Sequence, residues 1–137
     1  MGPRERLSAY LKAVSTTPFA WGSHDCLTFT NDAYRAMYGY GWADDWLGRY
    51  MDGKKVLGRK ALKLEFGYRD FSKAVDDKLK RIDHVPPLGA LVTTTKARKW
   101  VTGVAMGVCA GSKCAFLDKV GVIYLPMDDI DSAWVKA

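Results

Sequence analysis

The segment Thr17-Pro18-Phe19-Ala20-Trp21-Gly22-Ser23-His24-Asp25-Cys26 places a helix stop, a turn, a cap and a cysteine within ten residues. Pro18 cannot continue a helical ladder, so Thr16-Thr17-Pro18 closes the helix before it. Gly22 permits a close turn. Asp25 supplies an oxygen that can cap a helix. Cys26, Phe29, Ala33 and Met37 then recur at helical spacing, with Gly39 and Gly41 just past the end. Cys26 thus stands at a helix N-terminus, where free N–H groups and the helix dipole favour a thiolate. The same N–H groups can donate to an oxyanion. This pattern suits a nucleophile, and it equally suits a buried structural cysteine behind an Asp cap, the reading composition alone favours.

Working outward, Leu7, Tyr10, Leu11 and Val14 predict a first helix over about residues 3–15. Beyond Cys26, a short helical piece carries Trp46, Leu47 and Tyr50, and Asp52-Gly53 marks a turn. Val56, Leu57, Ala61, Leu62 and Phe66 suggest a third helix ending at Gly67, and Phe71, Ala74, Val75, Leu79 and Ile82 a fourth. Pro86 and Pro87 close the helical half. Strands are expected at 88–94, 101–109, 114–117 and 121–125, with a turn at 110–113, a helical turn at 128–131 and a last strand at 133–135. Helices first and an antiparallel meander after predict a single α+β domain over 1–137, helical to about residue 84.

The chain has 137 residues, 48% hydrophobic and 26% charged, enough to bury a core without a metal or a disulfide framework. No apolar run is long enough to span a membrane, and the N-terminal Met1-Gly2-Pro3-Arg4-Glu5-Arg6 lacks the apolar core of a signal peptide. The expectation is a cytoplasmic site of synthesis. The net charge of +6 concentrates at Lys54, Lys55, Arg59, Lys60, Lys63, Lys78, Lys80, Arg81, Lys96, Arg98 and Lys99. Such a bias can attract nucleic acid or an acidic protein. No nucleic-acid motif accompanies it, so solvated helix faces are favoured and nucleic acid is not the expected partner.

Three cysteines argue against a disulfide scaffold. Cys109 and Cys114 would face each other if Gly111-Ser112 turned a hairpin. A disulfide is then conceivable, and two buried thiols are the favoured alternative. No zinc spacing is present, adjacent His24, Asp25 and Cys26 diverge, and no metal or other cofactor is expected. Tyr38, Tyr40, Trp42 and Trp46 cluster after the second helix, as interface anchors, a glycan-stacking surface or packing under the following loop. Trp21 is expected in the core.

The order of motifs resembles the NlpC-type papain-like peptidases. Phe19-Ala20-Trp21-Gly22 is similar to their Tyr-x-Trp-Gly, and Asp25-Cys26-Leu27-Thr28-Phe29 to their Asp-Cys-Ser-Gly-Phe. Pro87-Leu88-Gly89-Ala90-Leu91-Val92 resembles their Pro-x-Gly-Asp-Leu-Val strand entry, and Ala105 to Gly111 their His-Val-Gly-Ile-Tyr-Leu-Gly strand. The resemblance implies Cys26 as the nucleophile position. It puts Ala105 where the general-base histidine belongs, Phe19 where a tyrosine would assist the oxyanion, and Cys114 near the orienting polar position. A thiol protease needs the imidazole to hold its thiolate and protonate the leaving group. His24 lies two residues from Cys26, a spacing that does not share a helix face, and reads better as a cap or partner contact than as a base. His84 precedes the strands and reads as a loop residue.

A second resemblance spans nearly the whole chain. Thr17-Pro18-Phe19-Ala20-Trp21-Gly22 with His24-Asp25-Cys26, Gly48-Arg49-Tyr50, Met106-Gly107-Val108-Cys109 and Ala133-Trp134-Val135 look like a small family of phage and prophage proteins. That family is related to the NlpC-type fold and tends to be encoded among tail-tip genes. It implies a virion component assembled in the host cytoplasm, with tail-tip or hub proteins as partners. The expected function is structural, on a pseudoenzyme scaffold. The alternative is a cysteine peptidase or amidase acting on host peptidoglycan through Cys26.

Overall fold

The computed structural model describes residues 2–67, 71–100 and 103–137. Helix α1 is Pro3–Ala13 and α2 is Cys26–Tyr38. A 3-10 turn, Asp44–Trp46, leads to a hairpin of β1 (Met51–Asp52) and β2 (Lys55–Val56). Helices α3 (Arg59–Phe66) and α4 (Phe71–Asp76) follow. The remaining strands are β3 (Lys80–Ile82), β4 (Leu91–Thr94), β5 (Ala105–Cys109), β6 (Lys113–Asp118), β7 (Gly121–Pro126) and β8 (Ser132–Val135). A 3-10 turn, Met127–Asp129, joins β7 to β8. The fold is α+β, with the larger sheet antiparallel throughout and ordered β3-β8-β4-β5-β6-β7. No helix among the described residues is long and apolar enough to cross a membrane.

Local chemistry explains the helix limits. Pro3 fits the first turn of α1, where its missing N–H costs nothing. Leu7 and Leu11, one turn apart, bury the inner face of that helix. In α2, Leu27, Phe29, Ala33 and Met37 are buried, and Gly39 closes the helix in a left-handed conformation. These side chains pack on one face of the large sheet against Leu91, Met106, Val108, Ala115, Leu117 and Trp134. The opposite face carries Val92, Ala105, Cys109, Cys114, Phe116 and Ala133, flanked by half-buried Ile123, Leu125, Met127 and Ile130. Alternation along each strand divides the two sets.

Three sequence-based expectations change. The fourth helix stops at Asp76, and Lys80–Ile82 forms an edge strand paired with β8, Arg81 opposite Trp134. That pairing partner lies more than fifty residues downstream, beyond the reach of local periodicity. Residues 55 and 56 belong to the hairpin around Asp52-Gly53, so α3 begins only at Arg59. The meander holds for β4 through β7, but β8 returns to lie between β3 and β4. Trp134 fixes that return. It is fully buried and donates its indole N–H to Asp76 Oδ1 at 2.8 Å, while Arg81 forks onto the same carboxylate with two contacts of 2.9 Å. Of the strand expected at 101–109, residues 101 and 102 lie outside the described set, and the strand itself starts at Ala105.

Candidate functional site

Asp25 organises the turn before α2. Its Oδ1 accepts the backbone N–H groups of Leu27 and Thr28, each at 3.0 Å. Thr28 Oγ1 returns the favour by accepting the Asp25 N–H at 2.8 Å, which completes a capping box. Asp25 Oδ2 accepts the N–H of Gly22 at 2.9 Å and the hydroxyl of Tyr50. Gly22 has φ +81°, so any side chain there would be strained. The carboxylate is completely buried and faces four donors. Its role is to close the loop 22–25 against α2 and to tie that loop to Tyr50.

Cys26 occupies the first position of α2 with 1% of its surface exposed. The backbone N–H groups of Met106 on β5, Cys26 and Leu27 favour the thiolate. Burial outweighs them and, with the Asp25 charge, pushes the thiol well above its ordinary value.

His24 is 9% exposed. Its backbone pairs with Ala20 in both directions, at 2.8 and 2.9 Å. Its ring stands edge-on to Phe29, centroids 6.1 Å apart, and Nε2 is buried without a hydrogen-bond partner. Burial holds the imidazole below its ordinary value, opposed by Asp32 and then Asp25. A histidine depressed in the folded state binds its proton more readily once unfolded, so stability is full above the unfolded value of about 6.5 and is lost as pH falls below it. The melting temperature should therefore drop between about pH 7.5 and 5.5, and His24→Gln should flatten that dependence. Asp32, held high by burial, acts with the opposite sign from its unfolded value of about 4 upward, and Asp32→Asn separates its contribution from that of His24.

The residue expected at the base position is corrected in direction. Ala105 packs on the far face of the sheet with Val92 and Phe116, while the β5 side chains on the Cys26 side are Met106 and Val108. Neither carries a titratable group. Cys114 likewise lies on the far face. His84 is an exposed loop residue 3.9 Å from Asp83. Trp21 is half-buried at the rim, edge-on to Phe19 at 5.0 Å, rather than in the core. Phe19 in turn lies under the Arg98 guanidinium at 4.6 Å.

The tie between Tyr50 and Asp25, and the part played by Trp100, escape sequence reasoning. Tyr50 is fully buried, and burial together with Asp25 pushes its hydroxyl well above its ordinary value. Trp100 packs edge-on against it, centroids 4.8 Å apart. No local pattern marks Tyr50, because its partner lies 25 residues upstream. Thr28, three residues after the Asp cap, could have been found from the capping-box spacing.

The aromatic cluster divides. Trp42 and Trp46 are core residues, and Trp42 donates its indole N–H to Thr30 Oγ1 at 3.1 Å. Asn31 anchors the same loop by accepting the Ala43 N–H at 2.7 Å and donating to Asp44 at 2.8 Å. Tyr40 is 46% exposed, and with Tyr38 it flanks the Lys136 ammonium at 5.5 and 4.7 Å. Several of the central cations are paired: Lys78 with Asp45 at 2.6 Å, Arg81 with Asp76, and Lys96 with Asp129 at 2.8 Å. A surface cleft of about 470 Å³ runs between α1 and Leu88, Ala110 and Tyr124, and residues 24–26 do not line it. Among the described residues, no group of three or more His, Cys, Asp or Glu is placed to hold a metal ion.

An α+β protein with a capped, buried cysteine at the foot of its central helix is what fold and site define. The family described as a domain of unknown function, DUF6950, matches residues 2–135, and the chain belongs to that family. No curated protein matches the sequence.

Proposed function

We propose that this protein is a structural or assembly component of a phage tail tip, on a papain-like scaffold of the NlpC type that has lost its peptidase chemistry. The observation that carries the reading is Cys26 itself. On this reading it occupies the nucleophile position, yet it is buried and burial pushes its thiol well above its ordinary value. Thiol peptidases depend on an imidazole twice, for the thiolate and for the leaving group. The surrounding motif has an evident structural duty instead, since Asp25, Thr28, Gly22 and Tyr50 form one hydrogen-bonded unit. The exposed Tyr40 beside Lys136 offers an aromatic and cationic contact for a tail-tip partner.

The test is genetic complementation in the phage that encodes the chain. Deleting the gene should abolish infectious particles and leave tails incomplete by negative-stain microscopy. Cys26→Ala, checked to be folded, should restore infectivity to within about threefold of wild type, since truncating this small buried side chain removes no chemistry. Failure of folded Cys26→Ala, together with release of muropeptides from purified sacculi by the wild-type protein alone, would establish the peptidase or amidase instead. In the isolated, folded protein, iodoacetamide should leave Cys26 unmodified even at about pH 8.5, where an ordinary cysteine of pKa about 8.5 is half thiolate and reacts; modification at about pH 6 would mark an activated nucleophile instead.

A further inference from the structure

The remaining two cysteines form a pair of their own. Cys109 ends β5 and is in direct register with Cys114 on β6. The Cys109 N–H donates to Ala90 O at 2.8 Å, and its carbonyl accepts the Gly89 N–H at 2.7 Å, so both of its main-chain groups face the β4 side. The next pair, Ala110 N–H to Lys113 O at 2.9 Å, closes the hairpin around Gly111-Ser112. Cys109 and Cys114 are therefore a non-hydrogen-bonded pair across β5 and β6. Residues in such pairs lie about 4.5 Å apart at Cα, with their side chains at closest approach. Disulfides bridge Cα separations of roughly 4.4–6.8 Å, so this pair can be joined without moving the backbone.

Both thiols are free and fully buried on the sheet face away from Cys26. The Cys109 sulfur lies 3.4 Å from the carbonyl oxygens of Pro86 and Gly111, and the Cys114 sulfur lies 3.8 Å from the Met127 sulfur. The nearness of the two thiols draws Cys109 below its ordinary value and pushes Cys114 above it. Neither takes part in the Asp25 network or in the proposed tail-tip role.

We propose that Cys109 and Cys114 form a peroxide-oxidisable dithiol site that closes to a cross-strand disulfide across the β5–β6 hairpin. The Cys109 thiolate attacks one oxygen of hydrogen peroxide. The O–O bond breaks, hydroxide departs and takes up the proton Cys109 had released, and Cys109 becomes a sulfenic acid. The Cys114 sulfur then attacks the Cys109 sulfur, and its proton leaves with the departing hydroxyl as water. Two electrons pass from the thiols to one peroxide, which ends as two waters. Peroxide is small enough to reach a site at the mouth of a hairpin, where the flanking Ala110 and Gly111 are partly exposed.

The test treats the folded full-length protein with a few equivalents of hydrogen peroxide, quenches, and alkylates under denaturing conditions. The intact mass before alkylation should fall by about 2 Da for the two hydrogens lost. Of the three cysteines, only Cys26 should then take up alkylating agent, and proteolysis should yield a peptide carrying a Cys109–Cys114 link. Dithiothreitol should restore all three thiols. With Cys114→Ser, the same treatment should leave Cys109 as a sulfenic acid trapped by dimedone. Oxidation at Cys26 or Met127 in place of the link would overturn the proposal. So would recovery of three free thiols, or Cys109 overoxidised without a link, and these wild-type readouts stand even if a variant fails to fold.

Discussion

Asp25→Ala should cost on the order of 4 kcal/mol of folding stability, the largest loss expected from one substitution outside the apolar core. The carboxylate is buried and is the common acceptor for Gly22, Leu27, Thr28 and Tyr50. Loss of a helix cap alone costs about 1 kcal/mol. The rest arises because the Tyr50 hydroxyl and buried amides are left without an acceptor in a place water does not reach, at about 1–3 kcal/mol for a buried group so stranded. Asp25→Asn should cost less, because one oxygen still caps α2 while the amide faces donors. Tyr50→Phe removes one of the stranded donors, so Asp25→Ala made in a Tyr50→Phe background should cost less than in wild type. Urea denaturation of wild type and the four variants measures all of these terms. Strict additivity would show that Tyr50 and Asp25 are not coupled.

Gly107→Ala should be nearly as damaging, at about 3 kcal/mol, the upper end of what overpacking a core costs. Gly107 lies in the middle of β5 opposite Phe116. A Cβ there would come within 2.3 Å of the Ala115 carbonyl oxygen and 2.6 Å of the Phe116 ring. The oxygen belongs to the backbone of the adjacent strand, so relief requires β5 and β6 to separate. Those strands carry both Met106 beneath Cys26 and the Cys109–Cys114 pair, so the damage should reach both faces of the sheet. Gly58→Ala is the control. Nothing lies within 4 Å of a Cβ at that position, and its effect should stay within about 0.5 kcal/mol. Equal losses in the two variants would mean that the close approach at Gly107 is not what constrains it.

Both substitutions bear on what holds the Cys26 site and the sheet beneath it together. Each residue around Cys26 meets a folding need of its own. Asp25 caps and anchors, Gly22 turns, Thr28 completes the box, and Cys26 fills space beneath β5. On this view the tail-tip reading and the motif are compatible, and complementation with Cys26→Ala separates them from a working peptidase.

The sequence by itself determined what depends on a few neighbouring residues. The start of α2 at Asp25-Cys26, the Gly39 stop, the hairpin around Gly111-Ser112 and the run of strands from β4 to β7 follow from capping, periodicity and turn chemistry, all of which act within one or two turns of chain. Tertiary structure decided the rest. Lys80–Ile82 became a strand because β8 returned to pair with it. Tyr50 became Asp25's partner across 25 residues. Ala105 fell on the face away from Cys26 because a strand's side chains alternate, and a one-residue difference in register exchanges the faces. Spacing within β5 is the same for either register. Only the packing of α2 on the sheet selects Met106 and Val108 as the β5 side chains on the Cys26 side, and that choice buries the cysteine among apolar neighbours.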